Sequence, residues 1–348
     1  MSAVVPPCGT KPPLGRGLLG PLCCTSRRET GYNHNRTADR IDSQQTIARC
    51  GGRTYLAFMT SPSIGVLGLG IIGAIWARHY HDAGRLIGAW NRTPQPGFPQ
   101  WHDDAATVAG AADYLQIVVA DPPAVAGILE KILPALGAGK TIIQSSTIDP
   151  ESSERFRTMV LATGARYLEA PFTGSKPAAQ GKKSVYYLGG EPALCAELEE
   201  VLALGSAHRV RIGDHRQACT LKLAMNLRVA VQMQVLAESF VMCRRAGITD
   251  DTYFGALGAN ITHSSLDDLK EPQIRHEDFN PLFSIKHMRK DMKLARGMAS
   301  TADFALLKTV SQQLDAANEA GYGDLDFAAL FKLLSPARAA QSPGQGNA

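Results

Sequence analysis

The feature that most restricts how this chain can fold is Gly68-Leu69-Gly70-Ile71-Ile72-Gly73, a G-x-G-x-x-G run. It follows the short apolar stretch Ile64-Gly65-Val66-Leu67 and leads into Ala74-Ile75-Trp76-Ala77-Arg78-His79-Tyr80. A buried strand, a glycine turn and a helix in that order form the opening unit of a dinucleotide-binding fold. The first glycine allows the tight turn, the second lets the backbone approach a pyrophosphate, and the third lets the helix pack near the strand. The free N–H groups of the helix N-terminus then face the phosphate charge. Three glycines in a loop are common by themselves; the flanking strand and helix give these a direction.

The chain downstream keeps the rhythm. Strands are expected at Leu86–Trp90, at 114–119, at Thr141–Gln144, at 167–170, at 184–188 and at 209–212. Helices are expected near 72–84, 104–110, 123–136, 150–163 and 192–204. Repeated strand–helix alternation implies an α/β fold, a doubly wound Rossmann sheet that is mostly parallel. Beyond Gly213 the pattern turns helical. Residues 216–246 lack Gly and Pro and are apolar on nearly every face, enough for a helix of roughly 45 Å. Lys222, Asn226, Arg228, Gln232, Gln234 and Glu238 inside the run argue against a membrane span. It reads as the long helix of an all-α C-terminal domain or a dimer core. Further helices are expected near 249–258, 285–300, 304–320 and 324–334. The predicted organisation is a 1–59 leader, a 60–214 nucleotide-binding domain, a 215–335 all-α substrate and dimerisation domain, and a disordered 336–348 tail.

Charge and cysteine content narrow the function classes. The formal net charge is +4, but residues 1–58 hold eight Lys/Arg against three acids, which leaves the rest of the chain near neutral. A near-neutral folded part argues against nucleic acid as a partner. Residues 1–58 show neither helical nor strand periodicity and no apolar run long enough for a secretory signal. They read as a disordered tail, as sequence upstream of a start at Met59, or as an Arg-rich organelle transit peptide. The seven cysteines have no framework spacing. They fit reduced thiols in a cytoplasm, and no metal-ligand spacing stands out.

Candidate chemistry sits at the strand ends. Asn91-Arg92-Thr93 follows strand two, 18 residues past the last glycine, where an NAD enzyme places an acid for the ribose 2′-hydroxyl. With no carboxylate there and an arginine next, the expected cofactor is NADP(H), with Arg92 and Thr93 on its 2′-phosphate. Ser145-Ser146-Thr147-Ile148-Asp149-Pro150 ends strand four; Asp149 before Pro150 suits a helix cap, and Thr147 can face a ligand. Thr173-Gly174-Ser175 ends the next strand, where two hydroxyls and free N–H groups can hold a carboxylate. Lys222 lies four residues before Asn226, so both project from one face of the long helix. Burial beside positive charge would lower the proton affinity of Lys222 toward the range useful for acid–base work, whereas a solvated interdomain ion pair would not. Phe283-Ser284-Ile285-Lys286-His287-Met288-Arg289-Lys290-Asp291 adds a late basic cluster.

Taken in order, these motifs resemble the β-hydroxyacid dehydrogenases, within the 6-phosphogluconate dehydrogenase superfamily. The likeness covers about residues 62–335. Asn91-Arg92-Thr93 and the Gly174-Ser175-Lys176-Pro177 run look most like the glyoxylate/succinic semialdehyde reductases. The resemblance implies that Lys222 is the catalytic acid and that Asn226 orients substrate. It implies that Thr173-Gly174-Ser175 bind a substrate carboxylate, that Thr147 lies beside both nicotinamide and substrate, and that Phe283 and Asp291 close the site. Gly68 to Gly73, Asn91, Arg92, Thr93, Ala120, Asp121 and Lys290 would hold the cofactor. Thr173 stands where the family usually has serine, which adds a methyl group to the pocket. The implied function is NADPH-dependent reduction of a small aldehyde acid, by a homodimer or homotetramer with no membrane partner. The alternatives are a 3-hydroxyisobutyrate-type dehydrogenase, an imine reductase, or an inactive relative that serves as a binding protein. Imine reductases generally lack the Lys/Asn pair, and inactive relatives lose the lysine.

Overall fold

The computed structural model describes residues 45–50, 53–58 and 62–334. The remainder of the leader and the expected disordered tail lie outside these residues. Strands β1 (Gln45–Cys50) and β2 (Arg53–Phe58) pair antiparallel as a unit of their own.

The glycine run opens a sheet of eight strands. They are β3 (Ile64–Leu67), β4 (Leu86–Trp90), β5 (Tyr114–Ile117), β6 (Thr141–Gln144), β7 (Arg166–Glu169), β8 (Phe172–Thr173), β9 (Ser184–Gly189) and β10 (Ser206–Gly213). Their order is β10-β9-β7-β6-β5-β3-β4, with β8 added to β9. Strands β4, β3, β5, β6 and β7 run parallel, β9 turns antiparallel to β7, and β10 follows β9 in parallel. From β3 the chain goes first to one side, to β4, and then to the other, to β5. The two carboxyl ends at this reversal leave a crevice, the place where such sheets bind ligands.

Every residue of β3, β5 and β6 is buried, as expected for strands covered on both faces. One face packs α1 (Ile71–Asp82), through Trp76 and Tyr80, together with α6 (Pro192–Glu197) and α7 (Glu199–Ala203). The other packs α2 (Ala105–Ala111), α3 (Pro122–Ile132) and α4 (Pro150–Leu161), through Val108, Leu129 and Phe156. Sequence alone predicts one helix near 192–204; the structure breaks it at Leu198 into α6 and α7. The short pieces β8 and α5 (Lys176–Gln180) have no counterpart in the sequence prediction.

The second domain hangs on α8 (His215–Arg245), 31 residues long and begun by a capping box between Asp214 and Gln217. Its first third packs on the Rossmann domain through Cys219. Beyond that, Leu223, Met233, Leu236 and Phe240 enter a separate core with α9 (Asp250–Gly258), α10 (Ser265–Arg275), α11 (Ile285–Gly297) and α12 (Ala305–Ala317). Helix α10 is absent from the sequence prediction; it carries Pro272 inside it. The predicted helix near 324–334 is a 3-10 helix, Phe327–Leu333. No helix among the described residues is long and apolar enough to cross a membrane.

Candidate active site

The crevice at the reversal is lined by the three glycines, and each is required for a different reason. Gly68 has φ +109°, and a Cβ on it would lie 2.3 Å from the Val118 carbonyl oxygen at the end of β5. A Cβ on Gly73 would lie 2.0 Å from the Gly68 carbonyl oxygen. These two glycines are demanded by the protein itself. Gly70 is different, because a Cβ there would meet nothing within 4 Å. Gly70 also caps α1 with no side-chain hydrogen bond, and the first turn of α1 has no acid. Open approach, uncapped N–H groups and an uncompensated helix dipole suit a pyrophosphate, so the residues present fit a dinucleotide.

Asn91, at the end of β4, braces this loop. Its Oδ1 accepts a hydrogen bond from the Leu69 N–H at 3.0 Å, and its Nδ2 donates to the Thr93 carbonyl at 3.0 Å. The amide of Asn91 is therefore engaged within the protein. Next to it, Arg92 and Thr93 are exposed, and the Arg92 side chain has no partner among the described residues. Asp121 caps α3 through Ala124 N–H at 2.9 Å, beside the exposed Ala120.

Strand β6 delivers the Ser145–Thr147 turn. Asp149 caps α4 as its sequence suggests, accepting from Ser152 N–H and Oγ, each at 2.8 Å. The Thr147 carbonyl accepts from Lys290 Nζ of α11 at 3.0 Å, which joins the two domains at the site. On the neighbouring strand end, Thr173 lies in β8 and Gly174 takes φ +125°, a conformation that favours glycine. Ser175 then starts α5.

Opposite these strand ends, α8 presents Lys222, which is 8% exposed. Its Nζ donates to Asn226 Oδ1 at 2.9 Å, and Asn226 Nδ2 donates to Asp291 Oδ2 at 2.6 Å. Asp291 Oδ1 lies 2.6 Å from Lys290 Nζ as an ion pair, although it accepts no aligned hydrogen bond. The Lys222 ammonium also faces the Phe172 ring, 5.8 Å from its centroid. Burial pulls Lys222 down to about 8, Asp291 raises it and Lys290 lowers it further. Among the described residues Lys222 touches no carboxylate directly, and its hydrogen-bond partner is the Asn226 amide. Of the residues picked out in the sequence, Thr147, Lys222, Asn226, Lys290 and Asp291 join in one interdomain cluster. The ammonium of Lys290 is engaged by Thr147 and Asp291.

Several roles in this region escape sequence reasoning. His287 lies one turn after Phe283 and stacks on its ring at 6.1 Å, with Nδ1 2.8 Å from Ser284 Oγ. Burial and then Lys290 hold its pKa below the ordinary value. Asp326, fully buried, accepts from the N–H groups of Leu282 (2.9 Å) and Phe283 (3.1 Å) and pairs with buried Lys270 at 2.6 Å. It thus fixes the entry to α11. Glu169, fully buried at the end of β7, sits behind the strand ends. Its one sequence signal is its place directly before the Ala170-Pro171 run. Among the described residues no His, Cys, Asp and Glu cluster could hold a metal ion.

Comparison with known proteins decides the family. Residues 63–213 match the NAD binding domain of 6-phosphogluconate dehydrogenase, and residues 217–334 match the NAD-binding domain of NADP-dependent 3-hydroxyisobutyrate dehydrogenase. The chain belongs to the β-hydroxyacid dehydrogenase family. Members of this family are NAD(P)-dependent oxidoreductases, and so is this chain. It is similar to glyoxylate/succinic semialdehyde reductase 1 of Arabidopsis thaliana, 25% identical over 79% of this chain and 99% of that one. It is also similar to the cytokine-like nuclear factor N-PAC of Aedes aegypti, 28% identical over 72% of this chain but only 47% of that protein. Among solved structures, a 3-hydroxyisobutyrate dehydrogenase from Salmonella typhimurium superposes with a TM-score of 0.71, at 24% identity, over 78% of this chain and 100% of that one. That last likeness establishes the fold: a Rossmann domain followed by an all-α domain, as in other β-hydroxyacid dehydrogenases.

Proposed function

We propose that this β-hydroxyacid dehydrogenase uses NADPH to reduce a small aldehyde acid, such as glyoxylate or succinic semialdehyde, to the hydroxy acid. The observation that carries the reading is the buried Lys222–Asn226–Asp291 chain opposite the ends of β6 and β8. When bound, the nicotinamide supplies the hydride. The part left to the protein is a proton for the carbonyl oxygen, and Lys222 is placed to give it. A lysine at about 8 remains mostly protonated near neutrality yet gives up its proton more readily than a solvated one. Asn226 holds the ammonium in place by accepting its hydrogen bond, and Asp291 fixes the Asn226 amide so that its oxygen faces Lys222. Thr173, Gly174 and Ser175 supply the hydroxyls and N–H groups for the substrate carboxylate. Phe283, stacked on His287, closes the apolar side.

The choice of NADPH rests on Arg92, exposed and without a partner among the described residues, next to the residue that braces the glycine loop. The relative that acts on glyoxylate and succinic semialdehyde supports the substrate class. The same geometry run in the oxidative direction describes a 3-hydroxyisobutyrate-type dehydrogenase, which the match over residues 217–334 favours as the second reading. A non-catalytic binding role would not require a lysine kept buried and depressed. The test is oxidation of NADPH and NADH against aldehyde acids, ketones and imines, with hydroxy acids and NADP+ for the reverse direction. Turnover fastest with NADPH and an aldehyde acid is the expected result; NADH equal to or better than NADPH would refute the cofactor assignment.

A further inference from the structure

Behind the site lies a carboxylate that the proposed mechanism does not use. Glu169 has no exposed surface, and among the described residues no cation is paired with it. Four donors surround it instead, one from each of four elements. Ser153 Oγ of α4 donates to Oε2 at 2.5 Å, and Tyr167 OH of β7 donates to the same oxygen at 2.7 Å. Gln144 Nε2 of β6 donates to Oε1 at 2.8 Å, and the Cys219 thiol of α8 completes the set.

Two of these donors lead straight into the site. Gln144 Nε2 also donates to the Ser146 carbonyl at 2.9 Å, and Gln144 Oε1 accepts from Ser146 N–H at 2.7 Å. Gln144 is therefore a template for the turn that ends at Thr147, and Ser146 Oγ accepts from Val119 N–H at 2.9 Å beside the glycine loop. Glu169 holds that template in place. On the other side, Cys219 precedes Lys222 by three residues, about one turn along the same helix face. A buried carboxylate is costly, and an apolar side chain of similar volume would pack here at lower cost. What the carboxylate provides that an apolar group cannot is acceptors, which fix four donors in one arrangement.

We propose that Glu169 is a positioning residue whose ionised carboxylate sets the Ser145–Thr147 turn against the cofactor crevice and anchors the helix carrying Lys222. The proposal rests on the reading of the crevice as the cofactor site. Protonation removes one acceptor position and loosens the arrangement. Burial lifts Glu169 to about 7, against the lowering effect of its donors, so this loosening falls near neutral pH. The titratable groups facing it are Tyr167 from β7 and Cys219 from α8, both pushed well above their ordinary values, chiefly by burial. Asp149, at the head of α4, acts on Cys219, and β6 presents only the uncharged Gln144.

The test is NADPH affinity of the full chain from pH 6 to 9, measured by quenching of protein fluorescence, for wild type, Glu169→Gln and Ser153→Ala. Taking the ratio of variant to wild-type Kd at each pH cancels the titration of the cofactor itself. The expected ratio for E169Q is about tenfold at pH 8.5 and falls toward one at pH 6, where the wild-type carboxyl is also neutral. S153A, which removes one donor, shifts binding the same way by a smaller factor. A ratio of one at every pH overturns the proposal, and so does a ratio that is large and the same at every pH, the mark of a merely structural role. The functional reading fails on a different result, namely a wild-type chain that binds NADPH but turns over no aldehyde acid. The pH-dependent ratio would then still support the role of Glu169.

Discussion

Lys222 has its ammonium against an amide oxygen rather than a carboxylate, and that choice of partner decides its chemistry. A direct ion pair would hold the proton tightly; an amide acceptor within a buried site, with Lys290 near, leaves it at about 8. In the reductive direction the protonated form is the active one. Activity is then present below pH 8 and falls as pH rises through about 8; the oxidative direction shows the opposite limb. Steady-state rates from pH 6 to 10 in both directions check this. At Arg92 the expectation concerns one charge. Arg92→Ala should raise the KM for NADPH about 10- to 100-fold, the worth of one or two charge-assisted hydrogen bonds, and leave the KM for NADH within about twofold. Kinetics with the two cofactors check it. The sequence made Lys222, Asn226 and Arg92 visible because each stands out locally: a lysine in an apolar helix, an amide four residues on, an arginine where an acid is usual. Glu169 and Asp326 stayed hidden because their partners, Gln144, Ser153, Cys219 and Lys270, are 16 to 56 residues away and meet them only in the fold.

At the scale of elements, the β3–α1 turn separates what the fold needs from what the ligand needs. Gly68→Ala and Gly73→Ala push a methyl group into backbone, so both should destabilise the Rossmann domain and lower Tm by several degrees. Gly70→Ala meets no protein atom within 4 Å. It should keep the wild-type Tm, apart from ordinary helix-end effects of a few tenths of a kcal/mol, and lose NADPH affinity. Thermal melts with and without cofactor distinguish the three. Strand β7 has a pH signature of its own. The folded-state pKa of Glu169 is raised from the ordinary 4.5 to about 7, so its contribution to stability is present below about 4.5 and is lost as pH rises through about 7. Glu169→Gln should remove that slope, making the variant no less stable than wild type at pH 8 although weaker in binding. The elements legible in the sequence are those with a long apolar period, α8 and the buried strands. Helix α10 went unpredicted because Ser265–Arg275 is rich in charge and holds a proline, and β8 because two residues carry no period.

For the whole molecule, the site exists only where two separately cored domains meet. One core is built on α8 to α12, and the sheet has a core on each face. Helix α8 belongs to both domains, and Lys290 to Thr147 is a direct hydrogen bond between them at the site. The α domain in turn depends on the buried Lys270–Asp326 pair, which holds the entry to α11. Asp326→Ala leaves a buried lysine without its carboxylate and three N–H groups, of Leu282, Phe283 and Ala328, without their acceptor. A loss of about 3–5 kcal/mol is expected by denaturant titration, and the K270M/D326L pair should recover only the part due to the buried charge, since the N–H groups stay without an acceptor. The order of the motifs along the chain, glycine loop first and lysine helix later, made the two-domain architecture readable from sequence. The mutual orientation of side chains across the domain boundary was not readable, because it depends on packing between distant elements. The central claim is that Lys222 delivers the proton in an NADPH-dependent reduction, and the most direct measurement is NADPH oxidation with an aldehyde acid by Lys222→Met. The account predicts that NADPH binding stays within a few-fold of wild type while kcat falls about 10²- to 10⁴-fold and the limb near pH 8 disappears. A variant that turns over at the wild-type rate, with the limb intact, would contradict it.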